Sequence, residues 1–207
     1  MLNLIKKDYL FTKKIILFAV LYCIAVPFIL SFDNDGKTYF ADFLIPLALV
    51  TAPLAKIMST EDTRSGVIFQ KTLPYSSFEK VGARFAFVIS LLFFGNILLN
   101  VMKQLVFKPQ NFGDMVMQSI PVFVGFAIYY AAYMTIYYWK GYFASQFCIY
   151  ILIVIIIFGK RLMNEQVLEF VTTVMNNKAG TCIAVVGILM IFYLISCTFD
   201  QNRKLDR

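Results

Sequence analysis

The sequence predicts an all-α, polytopic membrane protein with six transmembrane helices. Of its 207 residues, 60% are hydrophobic and only 15% are charged, whereas about a quarter of the residues in a soluble domain are charged. The apolar residues form long continuous runs, which predict helices, and not the roughly ten-residue alternating segments of a membrane β-barrel. Besides the six spans, we expect an N-terminal helix at the membrane interface, a cytoplasmic helix, and short re-entrant helices on the outer side.

The six predicted spans are apolar stretches that reach, or nearly reach, the ~20 residues needed to cross a hydrocarbon core. Their bounds are 15–32, 40–58, 81–102, 115–138, 143–158 and 179–199. The fifth is the shortest. The chain is thereby divided into an N-terminal segment, residues 1–14, and a six-span domain, residues 15–207.

The first 14 residues have the pattern of an amphipathic helix. Leu2, Ile5 and Tyr9 recur at helical spacing and would lie on one face, while Lys6 and Lys7 lie between them. Such a helix is expected to lie in the headgroup region of the membrane. A disordered basic anchor is the alternative that the sequence leaves open.

Lysine and arginine side chains set the predicted orientation. With the N-terminus inside, thirteen of them fall in inner segments and six in outer ones, and such an excess marks the cytoplasmic side. Both termini and the first inner loop, residues 59–80, are therefore expected in the cytoplasm. The net charge of +7 is explained by this topology and by attraction to anionic membrane lipid. Nucleic-acid binding is not expected, because the basic residues form no single patch.

The chain lacks the residues on which most hydrolytic and metal chemistry depends. It contains no histidine, which excludes serine–histidine and cysteine–histidine catalysis and histidine-based zinc sites. It has no G-x-x-x-x-G-K-[ST] motif for nucleotide phosphates, and its four cysteines have no C-x-x-C spacing. We therefore expect no enzymatic activity, no metal and no cofactor in this chain.

A polar interruption at residues 59–84 divides the second predicted span from the third. A capping box, Ser59-x-x-Asp62, predicts the start of a surface helix over residues 61–72. Leu73-Pro74 ends that helix, because proline removes a backbone donor and disfavours helical geometry in the residue before it. A second capping box, Ser76-x-x-Glu79, begins the helix that enters the membrane.

The predicted surface helix has both an apolar and an acidic part. Val67, Ile68 and Phe69 need a partner to cover them. Glu61 and Asp62 are an adjacent acidic pair at the predicted helix N-terminus, where the helix dipole favours anions. An ordinary solvated cap explains the pair better than acid–base catalysis does.

Polar residues inside the predicted spans are candidates for a substrate path, because burying them in lipid is costly. The candidates are Asp42, Asn96, Asn100 and Gln146. Asn96 and Asn100 are four residues apart on one helical face. For these two asparagines, a hydrogen bond between helices is the alternative role.

The loop and the span pattern together resemble the ABC type-2 transporter permease family. The residues that carry the resemblance are Glu61, Asp62, Gly66, Leu73, Pro74, Ser76, Lys80 and Arg84. The opening Met1–Asp8 is similar to the start of small bacterial permeases of peptide exporters. One departure is that Tyr75 and Ser76-Ser77 stand where family members often have arginine directly after Leu-Pro.

The resemblance implies roles for several segments. It implies that residues 61–72 are a coupling helix that docks, through Glu61, Asp62, Gly66, Val67, Ile68, Phe69, Leu73 and Pro74, on a separate ATPase subunit. That subunit would bind ATP and Mg²⁺. It further implies that residues 1–14 connect to the membrane domain, and that residues 159–178 are the outer re-entrant helices. A second copy or a sister permease would complete the transport path in a bacterial plasma membrane.

The expected function is that of a permease subunit of an ATP-binding cassette exporter for amphipathic peptides or other lipophilic substrates. The alternative is an ATP-independent immunity or anchor protein that captures a peptide with its outer segment, residues 159–178. An intramembrane enzyme that uses Glu61 and Asp62 is disfavoured by the missing histidine.

Overall fold

The computed structural model describes residues 1–31, 38–72, 74–106, 112–162 and 178–205. Its side chains are described except at residues 26–31, 38–42, 69–71, 106, 112–118, 155–162, 178–179 and 203–205. Nearly all of this part of the chain is helical. In order, the helices are α1 (Leu2–Ser31), α2 (Thr38–Glu61), α3 (Arg64–Thr72), α4 (Ser77–Val106), α5 (Phe112–Lys140), α6 (Tyr142–Leu162) and α7 (Lys178–Leu205).

Four of these helices are long and apolar enough to cross a membrane. Their apolar stretches are Phe43–Glu61, Ser77–Leu105, Ser119–Lys140 and Gly180–Asn202, and α6 contributes the shorter Tyr142–Val154. The all-helical, multi-pass class is therefore confirmed, while the number of six spans stays a prediction. The predicted re-entrant segment, residues 159–178, falls mostly outside the described residues.

The helix α1 runs from Leu2 to Ser31 without a break at residue 14. At ~1.5 Å per residue it is about 45 Å long, which exceeds the ~30 Å hydrocarbon core by several turns. Its buried residues in the first three turns are Leu4, Asp8 and Thr12. Of the predicted face, Ile5 and Tyr9 are half-buried beside this stripe and Leu2 is exposed. The location of residues 1–14 in the headgroup region stays a prediction.

The chain divides into two compact units, Met1–Tyr130 and Ala131–Arg207, with the boundary inside α5. In the first unit α1, α2 and α4 pack against one another. Its apolar core contains Ala19, Cys23, Ile45, Leu49 and Leu99. Gly95 permits the close approach of α4 to α2, since a Cβ atom there would lie 3.1 Å from the Leu49 side chain.

In the second unit a single residue, Gly141, joins α5 to α6. Its φ of 91° lies in the left-handed region that glycine adopts without a steric penalty. Polar and aromatic contacts then tie α5 to α7. The Thr135 and Ser196 hydroxyl oxygens are 2.9 Å apart, and the rings of Trp139 and Phe199 stack at 5.9 Å between centroids.

Candidate functional site

The surface helix predicted for the first inner loop is present as α3, but it begins three residues later than expected. Thr63 caps it: the hydroxyl oxygen accepts from the Gly66 N–H at 3.2 Å, and the Thr63 carbonyl accepts from the Val67 N–H at 2.9 Å. The predicted cap at Ser59 is wrong, because α2 continues past it. Ser59 instead donates to the Lys56 carbonyl, 3.0 Å away, within the last turns of α2.

The second predicted capping box is confirmed at the start of α4. The Ser76 N–H donates to Glu79 Oε2 at 3.0 Å, and the Glu79 N–H donates to the Ser76 hydroxyl at 3.2 Å. Two backbone donors that a helix start leaves unsatisfied are thus bound reciprocally. This box fixes where α4 begins.

The first turn of α3 lies directly on the last turn of α2. A Cβ atom on Gly66 would lie 2.3 Å from the Thr60 carbonyl oxygen and 2.9 Å from the Cα of Glu61. Only glycine fits so close an approach of two backbones. Gly66, which the sequence marks as a motif residue, therefore sets the position of α3 on the end of α2.

A cluster of four charged residues joins the ends of three helices beside this contact. Arg84 of α4 donates from Nη2 to Glu61 Oε1 at 2.7 Å, and its Nε lies 3.2 Å from Asp8 Oδ2 of α1. Lys7 Nζ lies 3.5 Å from Asp8 Oδ1 and 3.7 Å from Glu61 Oε1. We call Lys7, Asp8, Glu61 and Arg84 the ion cluster.

The ion cluster is largely buried and its formal charges cancel. The side chains of Asp8, Arg84 and Glu61 are 3%, 6% and 15% exposed, whereas Lys7 is 42% exposed. Removing one partner of a buried ion pair costs about 3–5 kcal/mol, because the other charge is left in a poorly solvated place. An exposed partner such as Lys7 contributes much less.

The ion cluster corrects the prediction for Glu61. We expected a solvated residue at the N-terminus of the surface helix, but Glu61 is the last residue of α2 and its carboxylate binds Arg84. Asp8 was not predicted as a site residue at all. The sequence feature that could have identified Asp8 is its spacing. It lies four residues from both Leu4 and Thr12, on a helical stripe that is buried in the structure.

A cavity of about 360 Å³ lies next to the ion cluster, between α1 and the start of α3. Its lining residues are Lys7, Asp8, Phe11, Ile57, Thr60, Glu61, Thr63, Ser65 and Gly66. The first turn of α3 is therefore separated from α1 by open space rather than packed on it.

The other predicted coupling residues occupy different parts of the loop. Ile68 is 58% exposed, Val67 and Asp62 are partly exposed, and Pro74 is exposed between α3 and α4. Phe69 and Leu73 lie outside the described side chains. The described residues of α3 thus present an apolar side chain, Ile68, to the surroundings.

Two candidates for a substrate path, Asn96 and Asn100, lie together on α4. The Asn100 side chain donates to the Asn96 carbonyl at 2.9 Å and to the Ser119 hydroxyl of α5 at 3.3 Å. In the second unit, Gln146 donates to the Tyr133 hydroxyl at 2.9 Å. The side chain of Asp42 lies outside the described ones. Both described sites contain hydrogen bonds between helices.

Comparison with known proteins gives one match. The model of a family described as ABC-2 family transporter protein matches residues 3–201. This range contains α3, the ion cluster and both capping residues, Thr63 and Ser76. No curated protein matches the chain, and no solved structure matches it.

Proposed function

The chain belongs to the ABC-2 transporter family, and on that basis we propose that it is the permease subunit of an ATP-driven exporter. Membership makes the chain a membrane transport subunit. The proposal adds that a separate ATPase subunit binds ATP and Mg²⁺ and hydrolyses the nucleotide. It also adds a second permease, identical or related, in a bacterial plasma membrane with both termini in the cytoplasm.

The surface helix α3 is the observation that supports coupling to an ATPase. It has nine residues, and helices shorter than about 12–15 residues are marginal in water without tertiary contacts. Among the described residues, α3 packs extensively only on α2, and it leaves Ile68 exposed. An amphipathic helix of this kind suits a groove on another protein.

The composition of the chain supports an external source of energy. With no histidine and no phosphate-binding glycine motif, the chain has none of the usual groups for nucleotide hydrolysis. We therefore propose that the work of transport enters through a contact with another subunit. We assign that contact to α3 and name it the coupling helix.

For the substrate, we propose an amphipathic peptide or another lipophilic molecule. The support is the similarity of the N-terminal and loop sequences to bacterial peptide exporters. Asp42, Asn96, Asn100 and Gln146 are the proposed polar contacts along the path. A substrate of this kind would enter the lipid bilayer as well as the permease.

A matched pair of variants at Ile68 tests the coupling role. Ile68→Asp places a charge on the exposed face of α3 and should remove most of the ATPase subunit that co-purifies with the permease in mild detergent. Ile68→Leu keeps an apolar side chain of the same size and should leave the ratio of the two subunits unchanged. The elution profile of the permease reports whether each variant folds.

Two results would contradict the proposal. One is an unchanged ratio of ATPase to permease in Ile68→Asp, which would move the contact away from α3. The other is that cells whose ATPase subunit is catalytically inactive resist a toxic peptide as fully as cells with an active ATPase. That result would instead support the ATP-independent capture protein.

A further inference from the structure

Glu61 connects the coupling helix to the membrane helices. Its backbone lies against the first turn of α3, since a Cβ on Gly66 would lie 3.0 Å from the Glu61 carbonyl oxygen. Its carboxylate is 2.7 Å from Arg84 Nη2 on α4. A single residue therefore contacts α3 with its main chain and α4 with its side chain.

Arg84 extends this connection to α1. Its Nη2 binds Glu61 while its Nε lies 3.2 Å from Asp8 Oδ2. The planar guanidinium group thus contacts two carboxylates through different nitrogens, by a hydrogen bond to Glu61 and an ion pair with Asp8. The ends of α1 and α2 are thus fastened to the same side chain of α4.

The cavity beside the ion cluster limits direct contact between α3 and α1. It lies between α1 residues, including Phe11, and α3 residues, including Ser65. Because open space separates the two helices there, α3 has no extensive packing on α1 in the described part of the chain. A displacement of α3 therefore reaches α1 through α2, which packs on both helices, and through the contacts of Glu61 and Arg84.

Stability alone gives little reason for burying the three charges of Asp8, Glu61 and Arg84 at this point. A buried ion pair can often be replaced by well-packed apolar residues without loss of stability. What such residues lack is the directional charged hydrogen bond that Arg84 donates to Glu61. The ion cluster is therefore suited to holding helix ends at fixed positions.

We propose that Arg84 is a positioning residue that makes the coupling helix α3 move together with α1 and α4, by holding both Glu61 and Asp8. This inference rests on the proposed function, because it takes α3 as the contact with the ATPase. It goes further by assigning the route along which a movement of α3 enters the membrane domain.

Distance measurements between spin labels test this assignment. One label is placed at Leu10 of α1 and one at Thr72 of α3, both exposed, in a chain whose four cysteines are replaced by alanine. The distance distribution is recorded for the purified permease and for its complex with the ATPase, with and without a non-hydrolysable ATP analogue. Lys13→Gln, at an exposed lysine of α1, is the control.

In the wild type, the distribution should be narrow and should keep its centre when the ATP analogue binds. In Arg84→Gln and Glu61→Ala it should widen about twofold, because a helix freed from its tie samples several positions. It should also shift when the analogue binds. Arg84→Gln should keep the wild-type amount of ATPase, because Arg84 is not one of the proposed docking residues, and Lys13→Gln should behave as the wild type. If Arg84→Gln fails to fold, Glu61→Ala, which leaves Arg84 and Asp8 in contact, decides the question.

Two outcomes overturn the inference. One is a wild-type distribution in both Arg84→Gln and Glu61→Ala. The other is an equal widening in Lys13→Gln, which would mean that any loss of charge loosens the bundle. Absence of the ATPase from the wild-type preparation would overturn the proposed function and with it the coupling. The distance distributions of the purified permease without ATPase would still show whether Arg84 and Glu61 hold α3 in place.

Discussion

Gly66 lies so close to Thr60 that a Cβ atom on the glycine would be 2.3 Å from the threonine carbonyl oxygen. The neighbour is backbone, which cannot rotate away as a side chain can. Gly66→Ala should therefore displace the start of α3, at a cost of about 1–3 kcal/mol, the usual range for overpacking.

Limited digestion with trypsin measures this displacement, because Arg64 and Lys71 lie in α3. Cleavage at these residues should be faster in Gly66→Ala than in the wild type. Ser65→Ala is the control, since Ser65 is exposed and its hydroxyl makes only a 3.4 Å contact with Thr63. Equal cleavage rates in the two variants would argue against the close contact.

The cap of α3 gives a second prediction, which distinguishes the cap in the structure, Thr63, from the cap predicted from the sequence, Ser59. Thr63→Ala should destabilise α3 by about 1 kcal/mol, the usual cost of losing a hydroxyl cap. Thr63→Ser should not, because it keeps the acceptor for the Gly66 N–H. Hydrogen exchange at the amides of residues 64–68 measures the effect. Ser59→Ala should leave those amides unchanged, and an equal effect at Ser59 would favour the cap predicted from the sequence.

The capping box of α4 gives a third prediction. Glu79→Ala removes the acceptor for the Ser76 N–H and should speed exchange at the first amides of α4. Glu79→Gln keeps an oxygen at the same place and should change the exchange much less. If the two variants exchanged equally fast, the charge of Glu79 and not its hydrogen bond would be the stabilising feature.

The contact between Tyr9 and Ser90 gives a fourth prediction. Their hydroxyl oxygens are 2.6 Å apart. Because Ser90 donates its proton to the Phe87 carbonyl at 2.7 Å, Tyr9 is the donor to Ser90. Tyr9→Phe should lower the free energy of unfolding by about 0.5–1.5 kcal/mol. Thermal unfolding of the wild type and of Tyr9→Phe in detergent measures this change.

Two comparisons control the Tyr9 experiment. Tyr9→Ala should cost more than Tyr9→Phe, because it also removes the edge-to-face contact with Phe87, at 4.9 Å between ring centroids. Ser90→Ala combined with Tyr9→Phe should cost little more than either alone. A neutral Tyr9→Phe would instead favour the predicted location of residues 1–14 in the headgroup region, away from α4.

Apolar runs predicted the four long apolar helices of the described residues but not their ends. The third predicted span, residues 81–102, lies inside α4, which extends four residues beyond it at each end. Hydropathy identifies only the part of a helix that prefers lipid, so it does not detect helical turns that lie in water. The capping box at Ser76 was the better guide, because capping is a property of the helix start itself.

The loop motif predicted α3 and the family, whereas the ion cluster was missed. A helix in the loop follows from residues that are close in sequence, and its predicted end at Thr72 agrees with the structure. The ion cluster joins residues 8, 61 and 84, which no local pattern connects. Charged residues near the ends of spans look alike in a sequence whether they are solvated or buried, because burial depends on which helices pack together.

The hydrogen bond between Asn100 and Ser119 gives the last prediction. Asn100→Ala and Ser119→Ala should each destabilise the permease, and a double-mutant cycle should give a coupling energy of about 0.6 kcal/mol, typical of hydrogen bonds between membrane helices. Asn96→Ala should have a smaller effect on stability, because the Asn96 main-chain carbonyl remains available to Asn100.

Peptide transport by the same variants separates the two roles of these asparagines. If they serve only to join α4 to α5, transport should fall only in the variants that lose stability, Asn100→Ala and Ser119→Ala. If Asn96 lines the path, Asn96→Ala should change transport while its unfolding temperature stays close to that of the wild type. A side chain that contacts the substrate affects transport through binding, whereas one that joins two helices affects it through the fraction of folded protein.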